Sequence, residues 1–384
     1  MAPVRNGRVI FNAYPEGKLA NSTLLLNRSQ PAEYPIPGET TVYDESAQID
    51  TATVALNGGF LVKTLVLSID PFLRNRMRDP QAKDPSRRGN SQGYKLGEPI
   101  DGFGVGVIVR SEVPDLPEGK HVYGFIRFPA FQEYTIFPPS AQLRIIEKHP
   151  DLQWSVYVGA AGMPGQTAYG GWKEHAGAKA GEVLFVTTGA GPVGSFVIQL
   201  AKQAGLKVIA SAGTEEKLAF MKSIGADVVF NYKTTDTRAV LEKEGPVDIY
   251  WDNVGGDILD VTLENTAIYA RILVRATAYY ALFAVLTVIP QLCGAMSGYN
   301  TGYVPVKNLN MAYARSLSLY GVAVARLAPI YAERFYDEVP AKLASGEIKY
   351  TEEKSYGLDK VGDVLLAVQK GTNKAKAVII VAEE

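Results

Sequence analysis

From residue 1 to about 155 the chain alternates short apolar runs with glycine, proline and polar turn residues. "GFLVKTLVLSID" (59–70), "DGFGVGVIVRSE" (101–112) and "HVYGFIRFPAFQEYTIF" (121–137) are rich in β-branched, aliphatic and aromatic side chains. Short strands with frequent turn signals predict a barrel or sandwich. Between them, "RDPQAKDPSRRGNSQGY" (78–94) is polar and full of breakers, and reads as a solvated loop, with a mobile lid as the alternative.

From about Gly159 the period changes. "TAYGGWKEHAG" (167–177) predicts a helix. "EVLFVTT" then reads as a buried strand, "SFVIQLAKQAG" as a helix, "LKVIASAG" as a strand and "TEEKLAFMKSIGA" as a helix. "DVVFNY" and "VDIYWDNVG" are further strands. Such alternation predicts a parallel sheet with crossover helices. The tail, 326–384, holds a predicted helix, "AERFYDEVPAKLASG", and a last strand, "KAVIIVA". It is expected to return to the first domain, which gives 1–157 with 326–384 as one domain and 158–325 as the other.

Between "EVLFVTT" and "SFVIQL" sits Gly189-Ala190-Gly191-Pro192-Val193-Gly194, a G-x-G-x-x-G sequence in the strand–turn–helix context it requires. The first glycine permits a tight turn. The second lets the backbone approach a pyrophosphate, and the third lets helix and strand pack closely. The helix N-terminus adds unpaired N–H groups and a positive dipole end. An NAD site usually places an acid at the end of the second strand. Here that end reads Ser211-Ala212-Gly213-Thr214, and Lys217 follows one helical turn on. A 2′-phosphate needs cationic and hydroxyl donors, so the cofactor read here is NADP(H). Glu215 and Glu216 run against this, but they also suit the first turn of a helix.

Composition narrows the partners. At 384 residues the chain has room for two domains. Its 39 basic and 40 acidic residues nearly cancel, which argues against nucleic acid or an anionic membrane as partner. Cys293 is the only cysteine, so no intrachain disulfide can form, in keeping with a reducing compartment. One cysteine and three histidines, His121, His149 and His175, lack ligand spacing, and no catalytic metal is expected. His149 and His175 read as surface residues. Neither end carries a secretory, retention or peroxisomal signal, and the cytoplasm is the expected location.

"GMPGQTAYGGW" (162–172), "GAGPVG", "VVFNYKT" (228–234), "WDNVGGD" (251–257) and "CGAMSGYN" (293–300) occur in this order, with "SIDPFLRNRM" (68–77) before them and "GTNKAKAV" (371–378) after. Together they resemble the zinc-independent medium-chain dehydrogenase/reductases, in the branch of prostaglandin reductases and alkenal double-bond reductases. The resemblance spans nearly the whole chain. It implies an α/β fold: a Rossmann doubly wound parallel sheet plus a GroES-like β-rich catalytic domain formed by both chain ends. It also implies an NADPH site. Gly191 to Gly194 would hold the pyrophosphate, and Lys217 and Tyr232 the 2′-phosphate. Asn253 would sit by the cofactor at a strand end. Cys293 to Tyr299, including Ser297, would pass beside the nicotinamide, with Gly321, Val322, Ala323 and Asn373 completing the site.

The implied chemistry is reduction of the carbon–carbon double bond of an α,β-unsaturated aldehyde or ketone by hydride transfer to its β-carbon. Tyr299 would donate to the carbonyl oxygen as charge develops there. Relatives often carry Tyr where this chain has Phe72, which removes a hydroxyl and favours a more apolar substrate. The alternatives are an NADPH quinone oxidoreductase and a nucleotide-binding protein without turnover. A homodimer is compatible with the family pattern.

One stretch breaks the pattern. "RATAYYALFAVLTVIPQL" (275–292) holds one charge and no glycine. Its charge-free part, extended through 293–296, is interrupted by Pro290, Gln291 and Gly294, and its strongly apolar core, 279–289, falls short of the roughly 20 residues of a membrane span. Removing it leaves "YARILVCGAMSGYN", a strand running directly into the nicotinamide loop. It reads as an insertion: a hydrophobic flap, a membrane-touching hairpin or translated intron. The last is favoured, because the stretch is confined, in frame and unlike its surroundings, and its large apolar side chains have no evident place to pack. The chain lacking 275–292 is expected to be more soluble and more active. A spliced transcript that retains these codons would refute the intron reading. Loss of enone turnover in a folded, NADPH-binding deletion would establish the flap.

Overall fold

A computed structural model of the chain describes residues 3–15, 33–82, 93–124, 128–275, 296–300 and 306–383. Residues 276–292 of the apparent insertion, Cys293 and most of the 78–94 loop lie outside the described residues. The chain divides into two units, Met163–Thr351, and Met1–Gly162 with Glu352–Glu384.

The first of these is a Rossmann unit. Its strands are β1 (Val183–Val186), β2 (Lys207–Ala212), β3 (Val228–Asn231), β4 (Val247–Asp252), β5 (Thr266–Arg275) and β6 (Ser318–Val322). They form one sheet in the order β3-β2-β1-β4-β5-β6, every pair parallel. Helices α1 (Met163–Gly171), α2 (Pro192–Gln203), α3 (Glu215–Ser223), α4 (Thr237–Glu244), α5 (Gly256–Glu264) and α6 (Val324–Ala344) belong to the same unit. A strand covered by helices on both faces needs apolar residues at successive positions. Leu184, Phe185 and Val186 of β1 are accordingly all buried. Phe185 stacks on Tyr250 of β4, with ring centroids 5.2 Å apart.

The boundaries differ from the sequence reading. The chain leaves the Rossmann unit at Thr351/Glu352, and the 326–384 tail does not return as a whole. The reason lies in α6, which packs on α1. The Tyr169 and Phe335 rings meet edge-on at 5.6 Å, and the Tyr169 hydroxyl donates to Glu338 Oε2 at 2.9 Å. His175 is also no free surface residue. It is half-buried, its ring stacks on Tyr320 at 4.7 Å, and burial lowers its pKa below the ordinary imidazole value. His149 is likewise partly buried and accepts the Asp151 backbone N–H at 3.3 Å.

The other unit is β-rich and GroES-like. Its central strand, Phe60–Ser68, pairs antiparallel with Gly104–Ser111, Tyr134–Phe137 and Lys376–Ile380. Lys376–Ile380 pairs parallel with Glu352–Tyr356. The end of the chain thus completes a sheet begun near its start. Every residue of Phe60–Ser68 except Lys63 is buried. Among the described residues, no helix is long and apolar enough to cross a membrane.

At the carboxyl end of Phe60–Ser68 an ion pair closes the junction. Lys376 and Asp70 are almost wholly buried, with Nζ 3.1 Å from Oδ1. The Lys376 ammonium also donates to the Ile69 carbonyl at 2.8 Å. Ser68 Oγ donates to Asp70 Oδ2 at 2.5 Å. Two buried charges remain favourable only while paired and hydrogen-bonded. Lys376→Met should therefore lower stability by about 3–5 kcal/mol, because it strands the Asp70 carboxylate. Urea unfolding checks this, and a loss below about 1 kcal/mol would show that the pair does not hold the junction.

Candidate nucleotide-binding site

The turn between β1 and α2 is shaped by what its glycines exclude. A Cβ on Gly189 would lie 2.6 Å from Met221 Sδ, and one on Gly194 would lie 2.6 Å from the Thr188 carbonyl oxygen. Gly191 differs: among the described residues its Cβ would meet only the Thr188 oxygen, at 3.2 Å. The outer two glycines are therefore needed for packing, whereas the middle one leaves its side open to an approaching group. Thr188 takes a left-handed backbone, φ +49°, and its carbonyl accepts the Gly191 N–H at 2.9 Å. Pro192 opens α2, where a missing N–H costs nothing. Val193 is buried beneath the turn. A pyrophosphate fits this loop: open space at Gly191 faces the first turn of a helix.

Strand β2 ends with Ser211 and Ala212 buried and no carboxylate in line. Thr214 then caps α3, its Oγ1 accepting the Lys217 backbone N–H at 3.4 Å. This starts the helix one turn before the Lys217 side chain. Tyr232, at the end of β3, donates its N–H to the Ala212 carbonyl at 3.2 Å and leaves its ring half exposed. Its ring edge and the Lys233 side chain both stand over Gly213. A Cβ there would lie 3.3 Å from Tyr232 Cε1 and 3.0 Å from Lys233 Cε.

The sheet order reverses between β1 and β4, which opens a crevice at their carboxyl ends. Asn253 spans it. Its backbone N–H donates to Thr187 Oγ1 at 3.0 Å, and its Nδ2 donates to the Thr187 carbonyl at 2.7 Å. The residue is 2% exposed, yet among the described residues its Oδ1 has no partner. A buried amide oxygen without a donor is costly, and at a strand end it fits a ligand that brings one. Asp252 builds the turn that follows. Its Oδ1 accepts the N–H groups of Val254 and Gly255 at 3.0 and 2.8 Å, and the Tyr250 hydroxyl at 2.8 Å. Burial first, and then the Asp252 carboxylate, hold the Tyr250 phenol well above its ordinary pKa, so it stays a donor.

The segment Met296–Gly298 docks on this turn. Ser297 donates its N–H to the Val254 carbonyl at 3.0 Å. A Cβ on Gly256, which has φ +59°, would lie 3.1 Å from Ser297 Oγ. Tyr299 follows and is buried. At the end of β6, Gly321 is exposed while Val322 and Ala323 are buried. Val322 and Trp251 close over Gly171, where a Cβ would lie 2.7 and 2.8 Å from them.

The Gly189–Gly194 turn, Lys217, Tyr232, Asn253, Ser297, Tyr299 and Gly321 to Ala323 therefore all belong to the Rossmann unit. Asn373 and Phe72 belong to the other unit. Asn373 donates Nδ2 to the Ala375 carbonyl at 2.8 Å, and the Phe72 ring meets Phe103 edge-on at 5.7 Å. Thr187, Asp252 and Lys233 were given no role in the sequence reading. An Asp before Asn-Val-Gly-Gly is an Asx-turn signal and would have marked Asp252. Among the described residues, no three His, Cys, Asp or Glu side chains gather into a group that could hold a metal.

Residues 192–331 match the zinc-binding dehydrogenase family, and residues 37–145 match the N-terminal domain of oxidoreductase family. The NADP(+)-dependent 2-alkenal reductase of Nicotiana tabacum is 34% identical over 84% of this chain and 88% of its own length. The (+)-pulegone reductase of Mentha piperita is 32% identical over 99% of this chain and 100% of its own. The crystal structure of CurA from Vibrio vulnificus in complex with NADPH superposes with a TM-score of 0.77 at 25% identity, covering 98% of this chain and 100% of that one. With its Rossmann sheet, its GroES-like unit and relatives of this identity and coverage, the chain belongs to the medium-chain dehydrogenase/reductase superfamily, in the branch of alkenal double-bond reductases and prostaglandin reductases.

Proposed function

We propose that this chain is an NADPH-dependent reductase of the carbon–carbon double bond of α,β-unsaturated aldehydes and ketones. The observation that carries the reading is the docking of Met296–Gly298 on the turn after β4. It brings the Tyr299 segment to the strand ends where Asn253 presents its unpartnered oxygen. Relatives named as an NADP(+)-dependent 2-alkenal reductase and a pulegone reductase support the same reaction class.

NADPH, when bound, supplies the hydride for the β-carbon. The chain's own residues hold and polarise. The Gly189–Gly194 turn takes the pyrophosphate through backbone N–H groups, and Lys217 and Tyr232 take the 2′-phosphate. Tyr299 donates its phenol to the substrate's carbonyl oxygen, where negative charge collects as the β-carbon is reduced. A neutral phenol suits this task at pH 7, since it gives a hydrogen bond without losing its proton. Water or a side chain delivers the α-proton.

NADPH oxidation over small enals, cyclic enones and ortho-quinones, with product identification, tests the reading. The saturated carbonyl compound is expected from enals and enones. Turnover of quinones alone would establish the quinone oxidoreductase reading, and NADPH binding without consumption a non-catalytic role. Lys217→Ala should weaken NADPH binding by roughly 1.5–3 kcal/mol and leave NADH nearly unchanged. Equal weakening of both cofactors would refute the 2′-phosphate assignment. Tyr299→Phe should lower kcat for enones by up to about 10²-fold, with NADPH affinity intact. An unchanged kcat, with the chemical step shown to limit the rate, would remove Tyr299 from the reaction.

A further inference from the structure

We propose that Lys233 is a second cationic determinant of cofactor choice, closing over the end of β2 to bind the adenosine 2′-phosphate. The inference rests on the NADP(H) reading above. Three observations carry it. First, the Lys233 side chain folds back over Gly213: a Cβ at that glycine would lie 3.0 Å from its Cε and 3.3 Å from its Nζ. Glycine at 213 leaves the space that the ammonium takes at the strand end.

Second, the backbone around Lys233 is held in place. Its N–H donates to Asn231 Oδ1 at 3.1 Å, and the N–H groups of Thr234 and Thr235 donate to the Asn231 carbonyl at 3.1 and 2.9 Å. The turn after β3 therefore aims the side chain at β2, with the Tyr232 ring edge 3.3 Å from the same Gly213 position.

Third, Lys233 makes no ion pair among the described residues. Lys202 and Lys207 of the same unit do, with Asp227 and Glu244. An ammonium held at the place where an NAD site would put a carboxylate, with no acid of its own, repels nothing and attracts a dianion. Glu215 and Glu216 are exposed and lie in the first turn of α3, where the helix dipole accounts for them.

Calorimetric titration of the full chain with 2′,5′-ADP and with 5′-AMP isolates this end of the cofactor and needs no turnover. The unmodified protein is expected to prefer 2′,5′-ADP. Lys233→Gln should raise the Kd for 2′,5′-ADP about five- to tenfold, a charge-assisted contact discounted for exposure, and change that for 5′-AMP by less than about twofold. Lys233→Arg should keep the preference. An unchanged Kd for 2′,5′-ADP in Lys233→Gln, or equal weakening of both ligands, overturns the role of Lys233 while leaving the NADP(H) reading in place. No preference for 2′,5′-ADP in the unmodified protein overturns both.

Discussion

Asn253 ties together the two strands between which the Rossmann sheet changes direction. It donates twice to Thr187, once from its backbone and once from its side chain, and so fixes the ends of β1 and β4 against each other. The glycine turn begins two residues after Thr187, and the turn that receives Met296–Gly298 begins at Asn253 itself. A displaced Asn253 would move both. Its remaining oxygen is buried and unsatisfied, a cost of about 1–3 kcal/mol that a bound ligand can recover. The residue that holds the crevice together thus also keeps one hydrogen-bonding site open within it.

Asp252 makes that arrangement rigid. A buried carboxylate is tolerated only when its oxygens are well supplied with donors. Here Oδ1 receives two backbone N–H groups and a tyrosine hydroxyl. The turn is consequently defined by a buried side chain. Such preorganisation matters where a donor must be aimed at charge that appears only during reaction.

The β-rich unit solves a different problem with a related device. Its central strand and its last strand come from opposite ends of the chain. Apolar burial joins them along their length, but direction is supplied by Lys376 and Asp70, which sit where the last strand enters the sheet. The pair is a few residues from Phe72 and Asn373, so the same contact sets the backbone from which both project.

Much of this was legible in the residue order. Strand–helix alternation is a property of chain neighbours, and the runs "EVLFVTT" and "LKVIASAG" form strands where the pattern predicts them. The glycine turn was legible because its strand and helix flank it directly, and the absence of an acid from the end of β2 needed only Ser211 to Thr214. What the tertiary structure decided depends on partners far away in sequence. Helix α6 is amphipathic and could cover either unit; contacts with Tyr169 and Gly170 of α1 assign it to the Rossmann sheet. Asn253 reads locally as a strand-end amide, and only the placement of β1 beside β4 brings Thr187 within reach across 66 positions. Lys233 carries no local signal, and it stands over Gly213 only because β3 lies beside β2. Local periodicity determines which elements form, whereas the order in which strands pair determines which side chains meet.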